Sequence, residues 1–435
     1  MSFFRLILSL SRAARRGDLR ALRSSSAPPP AHRRSLPAFA AVVLALFVAG
    51  CAQKVSAPPA AEQEAAAPPS TGAAAPATTA PTMTPVPPPA EPTEQRVEVG
   101  LLLPLSGANA ELGQALLQAA QMAVFDLGDD RFTLVVRDTE APGGPAGAAQ
   151  QLLLEGVEIV LGPIFAAQVS QAAPPLRTSR VPMIAFSTDV TVAGNGVYVM
   201  GVLPRLQVER VVGYAASQGL RRVAALAPAS AYGQTVVAAL QSAAPRFGAA
   251  VAQVEYYDPA QTDHSAPVQR LNSGGTPQFD ALMLPEGAPH LTNIAPLLSY
   301  FGIDTRTVRL LGTALWDDPG LAREPALIGG WFAAPQPEQW ESFAARYRAL
   351  YGTTPPRIAS LAYDAAALAA VLGRAGGGGF TPEAITAAEG FAGVDGIFRF
   401  RPDGQVERGL AVFEMQATGP VVIDPAPQSF APAVF

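Results

Sequence analysis

Val99 to Gly128 reads VGLLLPLSGANAELGQALLQAAQMAVFDLG, and the fold turns on how this stretch is parsed. An unbroken apolar run ends at a proline, a small loop follows at Ser106-Gly107-Ala108-Asn109, and a helical apolar period then begins. Strand, loop and helix N-terminus together make a common cradle for small ligands. Asn109 is placed to cap the helix. The loop is no nucleotide site: Gly107 and Gly113 fit neither a dinucleotide fingerprint nor a P-loop. The chain's single lysine, Lys54, lies far upstream.

The same rhythm continues outward from Arg96. VEVGLLL, FTLVVRD, VEIVLGP and VPMIAFS are continuous apolar runs, as expected of strands buried on both faces of a parallel sheet. Helical segments at 111–125 and 146–154 separate them. A second set, RVAALAP, AAVAQVEYY, FDALMLP and VRLLGTA, alternates with helices at 207–217, 233–247 and 290–301. Strand and helix alternate throughout, which predicts an α/β protein with two doubly wound, Rossmann-like lobes. No internal repeat is closer than this shared strand–helix rhythm.

Composition supports a folded core with extensions. Apolar residues make up 49% of the 435 and charged residues 15%. The net charge of −5 is uneven: residues 1–50 hold eight arginines and one acid, leaving 22 basic against 34 acidic residues beyond them. So acidic a body is a poor partner for nucleic acid. Catalytic signatures are missing as well, with no G-x-S-x-G, H-E-x-x-H, C-x-x-C or S-x-x-K. Asp263 before HSAPVQRL reads as a helix cap, and Asp317-Asp318 as a solvated pair rather than a metal site. No enzyme, metal or cofactor is expected.

The one cysteine ends the apolar stretch AFAAVVLALFVAGC, which follows His32-Arg33-Arg34 and is too short to span a bilayer comfortably. Val48-Ala49-Gly50-Cys51 resembles a bacterial lipobox, which implies a signal peptide at 1–50 and a lipid on Cys51. Ala52 in the next position implies export to the outer membrane rather than retention at the inner one. From 51 to 95 the chain is rich in Pro, Ala, Thr and Glu without periodicity, as a semi-extended tether. Its reach is on the order of 100 Å.

Read together, VGLLLPLSG…LGQALLQAAQMAV, LVVRDTEAPGGPAGAAQQLL, IVLGPIFAAQV, VPMIAFST, ASAYGQTVVAAL and FAGVDGIFRFRPDG resemble the type 1 periplasmic binding proteins of the leucine/isoleucine/valine-binding branch. The resemblance implies two lobes joined by three crossovers, with ligand in the cleft between them. The lobes would comprise 96–203 plus 334–390, and 204–333 plus 391–435. It implies an amino-acid-like ligand held by Ser187 and Thr188 at its carboxylate, closed over by Tyr232 and paired through Glu286 at its ammonium. Ser106 and Gly107 would form the cleft rim. In this branch the loop after the third strand carries hydroxyls; here it reads GPIFAAQ, with Phe165 facing the cleft. That departure resembles the lipoprotein activators of penicillin-binding proteins, in which the same fold docks on a peptidoglycan synthase. The expectation is a periplasmic, lipid-anchored regulator of that kind; the alternative is a receptor passing a branched-chain amino acid or related amide to an ABC permease.

Overall fold

The computed structural model describes residues 96–128, 131–374 and 379–430. The leader, Cys51 and the tether lie outside these residues, as do most of the Gly376–Gly379 run and the terminal APAVF. The first sheet comes from β1 (Val97–Leu103), β2 (Phe132–Asp138), β3 (Ile159–Leu161), β4 (Met183–Ala185) and β5 (Val197–Val199). Helices α1 (Ala110–Leu127), α2 (Gly144–Leu154) and α3 (Ala166–Ser179) connect them. The chain then enters α4 (Pro204–Ser217), β6 (Arg222–Pro228), α5 (Ala231–Arg246), β7 (Ala250–Tyr257), α6 (Ser265–Leu271), β8 (Ala281–Met283), α7 (His290–Tyr300), β9 (Arg309–Gly312) and β10 (Trp331–Ala334). It closes with α8 (Pro337–Tyr351), α9 (Ala359–Gly373), α10 (Pro382–Ile385), β11 (Phe391–Gly393), β12 (Gly396–Phe400), β13 (Val406–Arg408), β14 (Ala411–Gln416) and β15 (Gly419–Asp424).

Both large sheets are wound alike. The first runs β2-β1-β3-β4-β5, all parallel, and the second repeats that order as β7-β6-β8-β9-β10. Antiparallel β14 and β15 extend the second sheet beyond β10. In each sheet the winding reverses beside the first strand, between β1 and β3 and again between β6 and β8. Ligands of such sheets gather at the carboxyl ends of the strands around that reversal.

The apolar runs explain which strands are central. Leu101, Leu102 and Leu103 of β1 are fully buried, as are Ala224, Ala225 and Ala227 of β6. β2 and β7 depart from the expectation of double burial, for their residues are mostly half-buried or exposed. Their apolar runs lie at sheet edges, where one side has no neighbouring strand. The strand in VEIVLGP is three residues long, ending at Leu161 before Gly162, which adopts φ +82°.

A shared backbone device sets how closely each first helix follows its strand. A Cβ on Gly113 in α1 would stand 2.0 Å from the Pro104 carbonyl oxygen; one on Gly233 in α5 would stand 2.1 Å from that of Pro228. Only glycine admits these approaches.

The chain passes between the two sheet regions three times, from β5 into α4, from β10 into α8 and from β13 into β14. Residues 391–408, expected in the second lobe, form a three-stranded sheet of their own. That sheet meets the first through a bridge between Val199 and Gln405, while only 411–424 join the second sheet. Asp364 of α9 accepts from the Val394 amide at 2.7 Å and fixes the small sheet against the helix.

Candidate functional site

The carboxyl ends of the second sheet assemble a polar wall. Tyr232 follows β6, Tyr257 ends β7, Glu286 follows β8 and Thr313 follows β9. The Tyr232 and Thr313 hydroxyls lie 2.9 Å apart. Burial holds the Tyr232 phenol above its ordinary pKa, with the Glu286 charge adding to the rise and the Thr313 contact opposing it. Glu286 is occupied on both oxygens. The Tyr257 hydroxyl donates to Oε2, the Gly287 amide donates to Oε1 at 3.0 Å, and His290 Nδ1 stands 3.7 Å from Oε2. Burial, and then the Glu286 contact, push the Tyr257 phenol far up, so it acts as a donor.

On the first sheet the opening loop is pinned to its neighbour. The Ser106 hydroxyl donates to Asp138 Oδ2 at 2.6 Å, and the Leu105 and Glu140 amides donate to Oδ1 at 2.9 Å. Burial would raise the Asp138 pKa, but the Ser106 hydroxyl and the surrounding amides hold the carboxyl below its ordinary value. Ser106 therefore spends its proton on an acid of its own chain. Gly107, at φ +73°, opens a short 3-10 turn, and Asn109 heads α1 without a side-chain capping bond, contrary to expectation. The turn supplies one bond at that end, the Ala110 amide donating to the Gly107 carbonyl.

Ser187 is buried, and its Oγ accepts from the Asp189 amide at 3.0 Å. Thr188 beside it is exposed and meets Tyr232 across a pocket of about 550 Å³. That size falls within the usual range for small-molecule sites. Its walls come from the 188–191 loop, the start of α4 and one face of α5, with Gln405 at one edge. Ala231, Ala238, Ala239, Val190 and Leu203 make it largely apolar, while Arg205 and Asp189 bring charge. Phe165, 37% exposed at the head of α3, does not line it, nor do Ser106, Gly107, Ser187 or Glu286.

Of the residues expected from the sequence, Thr188 and Tyr232 line this pocket; Asp189 and Arg205, which also line it, and Thr313, which meets Tyr232, were not among those expected. Arg205 is legible only as an ordinary helical pair with Glu209. The cap position of α6 falls to the buried His264 rather than to Asp263, whose Oδ1 accepts from the Ser265 amide at 2.9 Å from one residue further out. Asp318 accepts from the Gly320 amide at 2.7 Å. Asp317 departs from a simply solvated carboxyl. Desolvation raises its pKa, Arg357 opposes the rise, and Asp395 and Asp318 add to it. Among the described residues no cluster of three or more His, Cys, Asp or Glu is arranged to hold a metal.

Comparison with known proteins places this geometry. The family model described as periplasmic binding protein matches residues 96–420. A branched-chain amino acid ABC transporter protein from Rhodospirillum rubrum superposes with a TM-score of 0.66 at 20% identity, covering 75% of this chain and all of that one. The substrate-binding protein LivJ from Streptococcus pneumoniae, solved with isoleucine, gives 0.55 at 19% identity, over 77% of this chain and all of the other. An uncharacterized protein of Rickettsia prowazekii, RP748, is 20% identical over 165 residues, 38% of this chain and 44% of its own length. The chain therefore spans less than half of that curated relative. On the family match, which takes in both sheets, this chain belongs to the periplasmic binding protein family.

Proposed function

We propose that this protein is a solute-binding receptor that hands a branched-chain amino acid, or a related small amide, to an ABC permease. The observation that carries the reading is the 550 Å³ pocket in which Thr188, from the loop after β4 of the first sheet, and Tyr232, from the first turn of α5 after β6 of the second, face a common space. Two walls borne on two sheets are what a closing receptor needs. Family membership and the isoleucine bound by the similar LivJ favour a receptor over a docking module. The family is one of binding proteins rather than enzymes. In this reading the protein works in the periplasm, tethered through a lipid on Cys51.

The hydroxyl-free loop Gly162–Gln168, together with the lipobox and the long Pro-rich tether, favours a docking module for a penicillin-binding protein. A thermal-shift screen of the purified protein against amino acids, amides and peptidoglycan fragments separates the two. A ligand at 100 times its dissociation constant adds about 2.7 kcal/mol of stability. A saturable shift with leucine or isoleucine supports the receptor. No shift across the panel, with crosslinking to a penicillin-binding protein, replaces it with the docking module.

A further inference from the structure

We propose that Asp189 and Arg205, rather than Glu286, hold the two charged ends of a zwitterionic solute, so that the pocket selects α-amino acids with small apolar side chains. The inference rests on the receptor reading above and assigns its specificity to residues outside the expected set.

Glu286 is poorly placed for an ammonium. Tyr257 and Gly287 occupy its two oxygens, and it does not line the pocket.

Asp189 does line the pocket. Its Oδ1 takes both the Thr191 amide at 2.9 Å and the Thr191 hydroxyl at 2.7 Å. Those two bonds fix the carboxylate and, among the described residues, leave Oδ2 without a hydrogen bond. The acid is thus oriented by its own loop and open on one side.

Arg205 supplies the opposite charge. Its Nη1 meets both Glu209 oxygens at 3.0 Å, while Nη2 is buried with no hydrogen-bond partner. Glu209 also receives Arg246 Nη1 at 2.8 Å, so one carboxylate is divided between two guanidiniums and the group keeps a net positive charge. The Arg205 side chain is 32% exposed, enough to turn its unpartnered edge toward a carboxylate. A buried unpaired donor gains most from such a partner. The same pocket is lined by Val190, 41% exposed, Leu203 and the α5 alanines, an apolar surface for a short side chain.

The test is calorimetric titration of the full-length protein with leucine, 4-methylpentanoate and 3-methylbutylamine. The last two are leucine without its ammonium and leucine without its carboxylate. The expected result is leucine binding at least tenfold tighter than either. Asp189→Asn, which keeps the acceptor for Thr191, brings leucine down to the affinity of 4-methylpentanoate. Arg205→Gln brings it down to that of the amine, and Asp189→Glu restores part of the loss. Circular dichroism confirms that each variant is folded. A leucine advantage over 4-methylpentanoate that survives in Asp189→Asn, or collapses in Glu286→Gln instead, overturns the assignment and leaves the receptor standing. Equal binding of leucine and 4-methylpentanoate by the unaltered protein does the same. No binding of any of the three overturns both.

Discussion

The Tyr232 and Thr313 hydroxyls, 2.9 Å apart, tie the first turn of α5 to the residue after β9, with the whole of Thr313 buried. Removing the phenol oxygen leaves the Thr313 hydroxyl with no partner in a place water does not reach. Tyr232→Phe is expected to cost about 1–2 kcal/mol in urea unfolding. Adding Thr313→Val should recover part of that loss, since deleting both partners leaves nothing unpaired. A double variant less stable than Tyr232→Phe alone would show that the bond is not what sets this corner.

Asp364 titrates where few aspartates do. Its side chain is fully buried; burial and the Asp395 charge push the pKa up to about 7, against the pull of Arg408 and the amides of Val394 and Asp395. In the unfolded chain it ionises near its ordinary 3.8. Between those values the native state keeps a proton that the unfolded state releases, so this group's contribution to stability falls as pH rises from about 4 to about 7 and is flat above. Asp364→Asn should lose less stability between pH 5 and pH 8 than the unaltered protein, read from urea midpoints. Equal losses in both proteins refute the raised pKa.

Asp138 works in the other direction. Its folded pKa lies below 3.8, so its contribution is complete above that value and disappears as pH falls through the folded pKa. Asp138→Asn should therefore show a smaller drop in stability between pH 5 and pH 2, followed by fluorescence in denaturant. An identical acid profile would mean that Ser106 and the Leu105 amide do not favour the ionised form.

Gly113→Ala places a methyl group 2.0 Å from a backbone oxygen. Backbone cannot rotate aside as a side chain can, so α1 must lift from β1. The expected loss is about 1–3 kcal/mol, although alanine is the better helix former by about 1 kcal/mol. A stability gain in thermal unfolding would show that the helix lifts freely.

How far the fold can be read from the chain depends on how local the signal is. Helices α1, α5 and α7 announce themselves by period, and their observed ends lie within two residues of the reading. The edge positions of β2 and β7 were not legible, because FTLVVRD and AAVAQVEYY are as apolar as the runs at the sheet centre. Burial there is decided by strand order, which one strand's composition does not carry. The small sheet at 391–408 was hidden for a similar reason, since its place depends on Asp364 of α9 some 30 residues away.

The site divides in the same way. Tyr232 and Thr188 stand next to recognisable strand ends and meet in the pocket. The occupation of Glu286 by Tyr257 spans 29 residues and two strands, and no local pattern foretells it. Asp189 and Arg205 are masked by near neighbours, Thr191 and Glu209, whose pairings look like ordinary loop and helix chemistry.

The contacts of Gly113 with Pro104 and of Gly233 with Pro228 carry a consequence for how the halves are related. Both stretches open Pro-x-Ser, but the separations along the chain are nine residues in one case and five in the other. What the halves hold in common is an interatomic distance rather than a loop of one length. A search for matching residues passes over it, yet a side chain of any size at either glycine displaces a rim of the opening between the sheets.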